Sequence, residues 1–212
     1  MSDRLYDPEE ITRRSYEYVD RHLDFETDSS LHRKVARRVV HSTGDFDLAG
    51  DLWFSEGLVS ALRTVLQSSL LIVTDVTMVE SGIRTSLLEK AGLTTDCFVH
   101  DPRAKDRAKN EGLTRSAAGL DLALQEYSSF MLVVGNAPTV LFRLLDRDDI
   151  TPDRIPMVVG APVGFISVEE SKAELKSSDF ISVGVSGNRG GSPVAASITN
   201  ALIKARTGEN ND

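Results

Sequence analysis

From Leu70 onward the chain alternates short apolar runs with helix-forming segments, at a repeat of about 25 to 30 residues, the length of a βα unit. Few folds accommodate that pattern. The runs at residues 70–76, 95–99, 129–134, 156–160 and 180–185 have the near-continuous apolar character of strands covered on both faces. With a helix after each, right-handed crossovers make the strands parallel. The expectation is an α/β fold in a single domain of 212 residues: a mainly parallel five-stranded sheet with helices on both faces, preceded by N-terminal helices. Three connections, VVGNAP (133–138), VVGAPVGF (158–165) and VGVSGNRGGSP (183–193), pass from strand through a glycine turn into a helix opening. A parallel sheet places such turns on one rim, where uncovered backbone amides can meet a ligand.

The first third reads as helices. Asp7 and Pro8, followed by Glu9 and Glu10, predict a helix over 8–21 whose apolar face is Ile11, Tyr18 and Val19, with the hydroxyl of Ser15 on the same stripe. A second helix is expected over 28–41, stopped by STGDFD, and a third from residue 53 to about 67. Later helix starts are signposted by capping-box spacing at Thr77/Glu80 and Ser167/Glu170, and by cap-then-proline pairs at Asp101-Pro102 and Ser192-Pro193. The polar tail from about residue 207 is expected to fray.

Composition narrows the partners. With 24 basic and 32 acidic residues the net charge is −8, which disfavours nucleic acid and anionic membrane surfaces. No run approaches the roughly 18 apolar residues of a membrane span, and MSDRLYDPEE has no signal-peptide core, so a cytoplasmic location is expected. The lone Cys97, within DCFV, has no partner for an intramolecular disulfide and reads as a buried thiol. His22, His32 and His100 lack metal-ligand spacing, and no G-x-S-x-G elbow supports nucleophilic hydrolysis.

Three places carry candidate chemistry. His41 stands three residues after Arg38 and seven after Lys34, one face at the end of a helix. The helix terminus favours its protonated form and the cations oppose it, which suits a proton-transferring group; a capping histidine without chemistry is the plainer alternative. SGNRGGS (186–192) offers Arg189, Gly190, Gly191 and Ser192 as an anion receptor, although its spacing is neither G-x-G-x-x-G nor a P-loop. Arg115 opens a helix where the dipole disfavours a cation, so that an anion is a natural companion, or else solvent. Arg84 reads as a solvated helix residue.

Taken together, RSYEYV around Ser15, RRVVHSTGDFD around His41, TDVTMVESGI, TRSAAGL, VVGNAPTVLFRLL, VVGAPVGFISVEESK and GNRGGSPVAASITNALI resemble the precorrin-8X methylmutase family, also called precorrin isomerase, in order from about residue 11 to residue 203. The resemblance implies an α/β homodimer with sites built from both subunits. It implies an isomerase of cobalamin biosynthesis that moves the C-11 methyl group of precorrin-8X, or of its cobalt form, to C-12 by a [1,5]-sigmatropic shift. The product is hydrogenobyrinate or cobyrinate, and neither a methyl donor nor a redox cofactor is required. By position His41 matches the proton-transferring histidine, Ser15 and Arg38 match residues that contact substrate, and Arg115 with the turn from Arg189 to Ser192 matches binders of the peripheral carboxylates. Two other readings compete: an α/β enzyme using residues 186–192 as a phosphate turn, and a corrinoid carrier without turnover.

Overall fold

In the computed structural model, which describes residues 6–65 and 70–208, the chain opens with α1 (Pro8–His22), α2 (Ser30–Thr43), α3 (Asp47–Asp51), β1 (Leu52–Phe54) and α4 (Leu58–Val65). There follow β2 (Leu71–Thr74), α5 (Thr77–Gly82), α6 (Thr85–Ala91), β3 (Thr94–Asp96), a 3-10 turn (Phe98–His100), α7 (Pro102–Glu111) and α8 (Arg115–Glu126). The chain continues through β4 (Phe130–Val134), α9 (Pro138–Leu145), β5 (Val158–Gly160), α10 (Val168–Ser177), β6 (Ser182–Val185) and α11 (Ser192–Thr207). The expected helix end near 67 and the tail beyond 208 lie outside the described residues.

The sheet order is β1-β6-β5-β4-β2-β3, and the five expected strands pair in parallel. A sixth strand departs from expectation: residues 52–54, which include Trp53, the expected start of a helix, pair antiparallel with β6, with Trp53 opposite Gly184. Gly184 makes that pairing possible, because a Cβ there would sit 2.5 Å from the Trp53 ring and 2.2 Å from the Gly160 carbonyl oxygen. Long-range packing has overridden the local helical pattern. Two apolar layers cover the sheet. Side chains of α1, α2, α5, α6 and α11 fill one, and those of α7, α8, α9 and α10 the other.

Several local readings are corrected. On α1 the buried residues are Tyr16 and Val19, whereas Ile11 and Tyr18 are exposed. The Asp7 and Asp101 caps form as expected. Neither capping box does: Glu80 accepts from Thr95 Oγ1 at 3.0 Å, and Ser167 sits in the left-handed region at φ 58° without a capping bond. Ser192 is the first residue of α11 and Gly191 its cap. Cys97 is half-buried rather than buried, and burial pushes its thiol up.

Candidate active site

α2 has two faces of opposite character. Ser29 caps its start by accepting from the His32 amide, and Gly44, left-handed at φ 70°, ends it by donating to the Val40 carbonyl. Leu31, Val35, Ala36, Val39 and Val40 are buried, chiefly against α11, and Ser197 Oγ donates to Ser42 Oγ at 2.7 Å across that contact. Lys34, Arg37, Arg38 and His41 are left on the other side, at helical spacing. α1 crosses this basic face. The start of α6 and the second half of α11 close a cleft of about 950 Å³ in front of it.

His41 stands in the wall of this cleft, stacked on Tyr16 with ring centroids 4.3 Å apart and an interplanar angle of 13°. Tyr16 also accepts from Arg38 Nη1 at 2.9 Å and carries the Arg37 guanidinium carbon 4.1 Å from its ring centroid. Burial first, then Arg38 and Arg37, hold the imidazole below its ordinary value of 6.5, so it is neutral at neutral pH. The cleft is lined by Arg13, Lys34, Arg37, Arg38, Arg84 and Lys204 against the carboxylates of Glu9 and Glu17, with Leu87, Ala201 and Ala205 supplying apolar surface. An apolar plate with anionic edges fits that lining better than a compact phosphate does.

Arg84, read from sequence as a solvated residue, lines the cleft because its backbone is pinned. Its amide donates to Asn200 Oδ1 at 2.9 Å, and Asn200 Nδ2 donates to the Gly82 carbonyl at 2.9 Å. The junction of α5 and α6 is pressed so close to α11 that a Cβ on Gly82 would lie 2.6 Å from Ala196 Cβ.

The glycine-turn rim is organised differently from expectation, because much of its backbone is satisfied within the protein. The Asp75 carboxylate accepts from the amides of Gly135, Asn136 and Ala137, at 3.0, 2.8 and 2.8 Å. Gly191 donates to the Ala161 carbonyl and Gly164 to that of Asn188. Lys172 Nζ donates to the carbonyls of Gly187 and Arg189, at 2.7 and 2.6 Å. Arg189 forms ion pairs with Asp45 at 2.8 Å and Asp51 at 2.5 Å, which tie the turn to the segment just past α2.

Of the residues singled out from sequence, the fold therefore brings His41, Arg38 and Lys34 together in the cleft. Ser15 is half-buried on α1, with Oγ donating to the Ile11 carbonyl at 2.7 Å, and does not line it. Arg115 is exposed at the start of α8, and Gly190, Gly191 and Ser192 belong to the rim. Tyr16, Arg37, Arg13, Arg84, Lys204 and Asn200 are additions from the fold. A second cavity of about 370 Å³ holds Arg107, Arg143, Arg147 and Arg154, but Arg143 and Arg147 are bonded to buried Asp121, and Arg154 to the carbonyls of Leu124 and Tyr127. No group of His, Cys, Asp and Glu suited to a metal ion, and no helix long and apolar enough to cross a membrane, occurs among the described residues.

Comparison with known proteins gives a consistent result. The family model described as "Precorrin-8X methylmutase" matches residues 10–205. The chain is 43% identical over 181 residues to the cobalt-precorrin-8 methylmutase of Salmonella typhimurium, covering 85% of this chain and 84% of that protein. It is 34% identical over 209 residues to the precorrin-8X methylmutase of Pseudomonas aeruginosa, covering 97% and 100%. Among solved structures, precorrin-8x methyl mutase from Thermus thermophilus superposes with a TM-score of 0.85 at 29% identity, covering 96% of this chain and 98% of that one.

Proposed function

The chain belongs to the precorrin-8X methylmutase family, and on that premise we propose that it is the isomerase that moves the C-11 methyl group of precorrin-8X, or of cobalt-precorrin-8, to C-12. The observation that carries the reading is the placement of His41, stacked on Tyr16 in the wall of a cleft of about 950 Å³ lined by Arg13, Lys34, Arg37, Arg38, Arg84 and Lys204.

The reaction breaks one carbon–carbon bond and makes another within the same molecule, so what the protein must supply is position and a proton at the right tautomer. The substrate is a polycarboxylate. Its carboxylates settle on Arg38 and the neighbouring cations, which cancels the part of the lowering of His41 that Arg38 and Arg37 add to that of burial. The imidazole then gains affinity for a proton, delivers it to a ring nitrogen of the macrocycle, and recovers it after the methyl group has moved. No net proton is consumed. Cobalt, where present, is part of the substrate.

We propose further that the protein is a homodimer with both copies contributing to each site. Arg115 and residues 189–192 lie away from the cleft of their own chain, and exposed apolar side chains at Met78, Phe165 and Ile166 stand on the strand-end rim, consistent with a second copy covering it. Ser15 is assigned to substrate contact through the same arrangement.

The test is to mix the purified protein with precorrin-8X, and separately with its cobalt form, and follow the visible spectrum as conjugation reorganises. Conversion of either supports the reading and identifies the route. Tight binding without conversion points to a corrinoid carrier, and indifference to both returns residues 186–192 to a phosphate-binding role.

A further inference from the structure

One side chain of α1 touches the proposed proton-transfer residue and both of its cationic neighbours. Tyr16 is 6% exposed, stacks on His41, accepts from Arg38 through its hydroxyl and lies under the Arg37 guanidinium. α2 alone does not fix these groups, since His41 and Arg38 project from a helix face where each has several staggered rotamers open to it. We infer that Tyr16 is a positioning residue that sets the imidazole plane of His41 with its ring and the Arg38 guanidinium with its hydroxyl.

The inference rests on the methylmutase reading, and its two contacts are separable by substitution. Tyr16→Phe keeps the stacking surface and removes the only acceptor that the side chain offers Arg38. Tyr16→Leu removes both. If Arg38 receives a substrate carboxylate, Tyr16→Phe raises KM about tenfold, the scale of one hydrogen bond to a charged group, and lowers kcat by less. Tyr16→Leu in addition lowers kcat by about 10- to 100-fold, because the imidazole is no longer held at its working angle.

A second readout needs no substrate. The His41 ring protons are followed by NMR against pH in the ligand-free protein, where Arg37, Arg38 and Lys34 of α2, Arg84, Lys204, and Arg13, Glu9 and Glu17 of α1 are the charged groups around the cleft. The midpoint stays near that of the wild type in Tyr16→Phe and moves up toward the ordinary histidine value in Tyr16→Leu, as the ring gains solvent. A tyrosine that serves only packing would lower thermal stability in both variants and leave the midpoint and the split between KM and kcat unmoved; that result overturns the inference. If Tyr16→Leu does not fold, a wild-type KM in Tyr16→Phe overturns it on its own. A wild type that fails to convert precorrin-8X refutes the methylmutase reading instead, and the titration still decides whether Tyr16 holds His41.

Discussion

His41 was legible in the sequence because its companions at i−3 and i−7 share its helix, and helical spacing is a local property. Tyr16 was not, since choosing Ile11, Tyr18 and Val19 as the inward stripe of α1 turns Tyr16 outward; only the crossing of α1 over α2 decides which face is covered. His41→Ala should lower kcat by about 10²- to 10⁴-fold with a much smaller change in KM, measured by steady-state conversion of precorrin-8X, because the carboxylate contacts are proposed for other residues. The imidazole also links stability to pH. Its folded value lies below its unfolded one, so the unfolded chain binds the proton first, and stability present above about pH 6.5 is lost as pH falls through the folded value. His32 shares that direction through burial. Urea titrations at a series of pH values should therefore show a shallower acid loss in His41→Gln than in the wild type, with a remainder to which His32 contributes and, at lower pH, the lowered carboxylates Glu10, Asp101 and Asp149.

Among the elements, the parallel strands announced themselves by composition, and β1 did not. Three residues are too few to carry a periodicity, and their pairing depends on a glycine more than a hundred positions away. The glycine turns were located correctly and their chemistry less so. Sequence shows where amides fall, but not that Asp75 and Lys172 arrive from other elements to bond the backbone there. Lys172 is 1% exposed, and burial pulls its ammonium down to about 8, so it is still charged at neutral pH and its bonds to two carbonyls are charge-assisted. Lys172→Met should cost about 2 to 4 kcal/mol in urea unfolding, by leaving the carbonyls of Gly187 and Arg189 without a donor. At the α5–α6 junction, Gly82→Val should displace α11 or the Arg84 backbone, raising KM and lowering the thermal midpoint together.

For the whole molecule, a net charge of −8 sets an unfavourable field against a polycarboxylate, which the cations of the proposed binding cleft would overcome only at short range. Raising salt screens both. The short-range attraction is the larger for a bound substrate, so KM should rise with ionic strength while kcat changes little. If each site draws on two copies, inactive His41→Ala and Arg115→Ala proteins, co-refolded in equal amounts, should recover activity toward about a quarter of the wild-type sites, because half of the dimers then hold one intact site. A mixture that stays inactive places both residues in one chain's site. The contact of α2 with α11 joins residues 155 positions apart, and the bonds of Arg189 to Asp45 and Asp51 span 144 and 138. The layer that holds His41 thus lacks α11, against which α2 chiefly packs, until the last strand and helix have been synthesised. On the ribosome, the part of the apolar face of α2 that meets α11 waits uncovered through most of translation, which makes the nascent N-terminal third a natural client for chaperones and gives chains truncated before α11 an incomplete cleft.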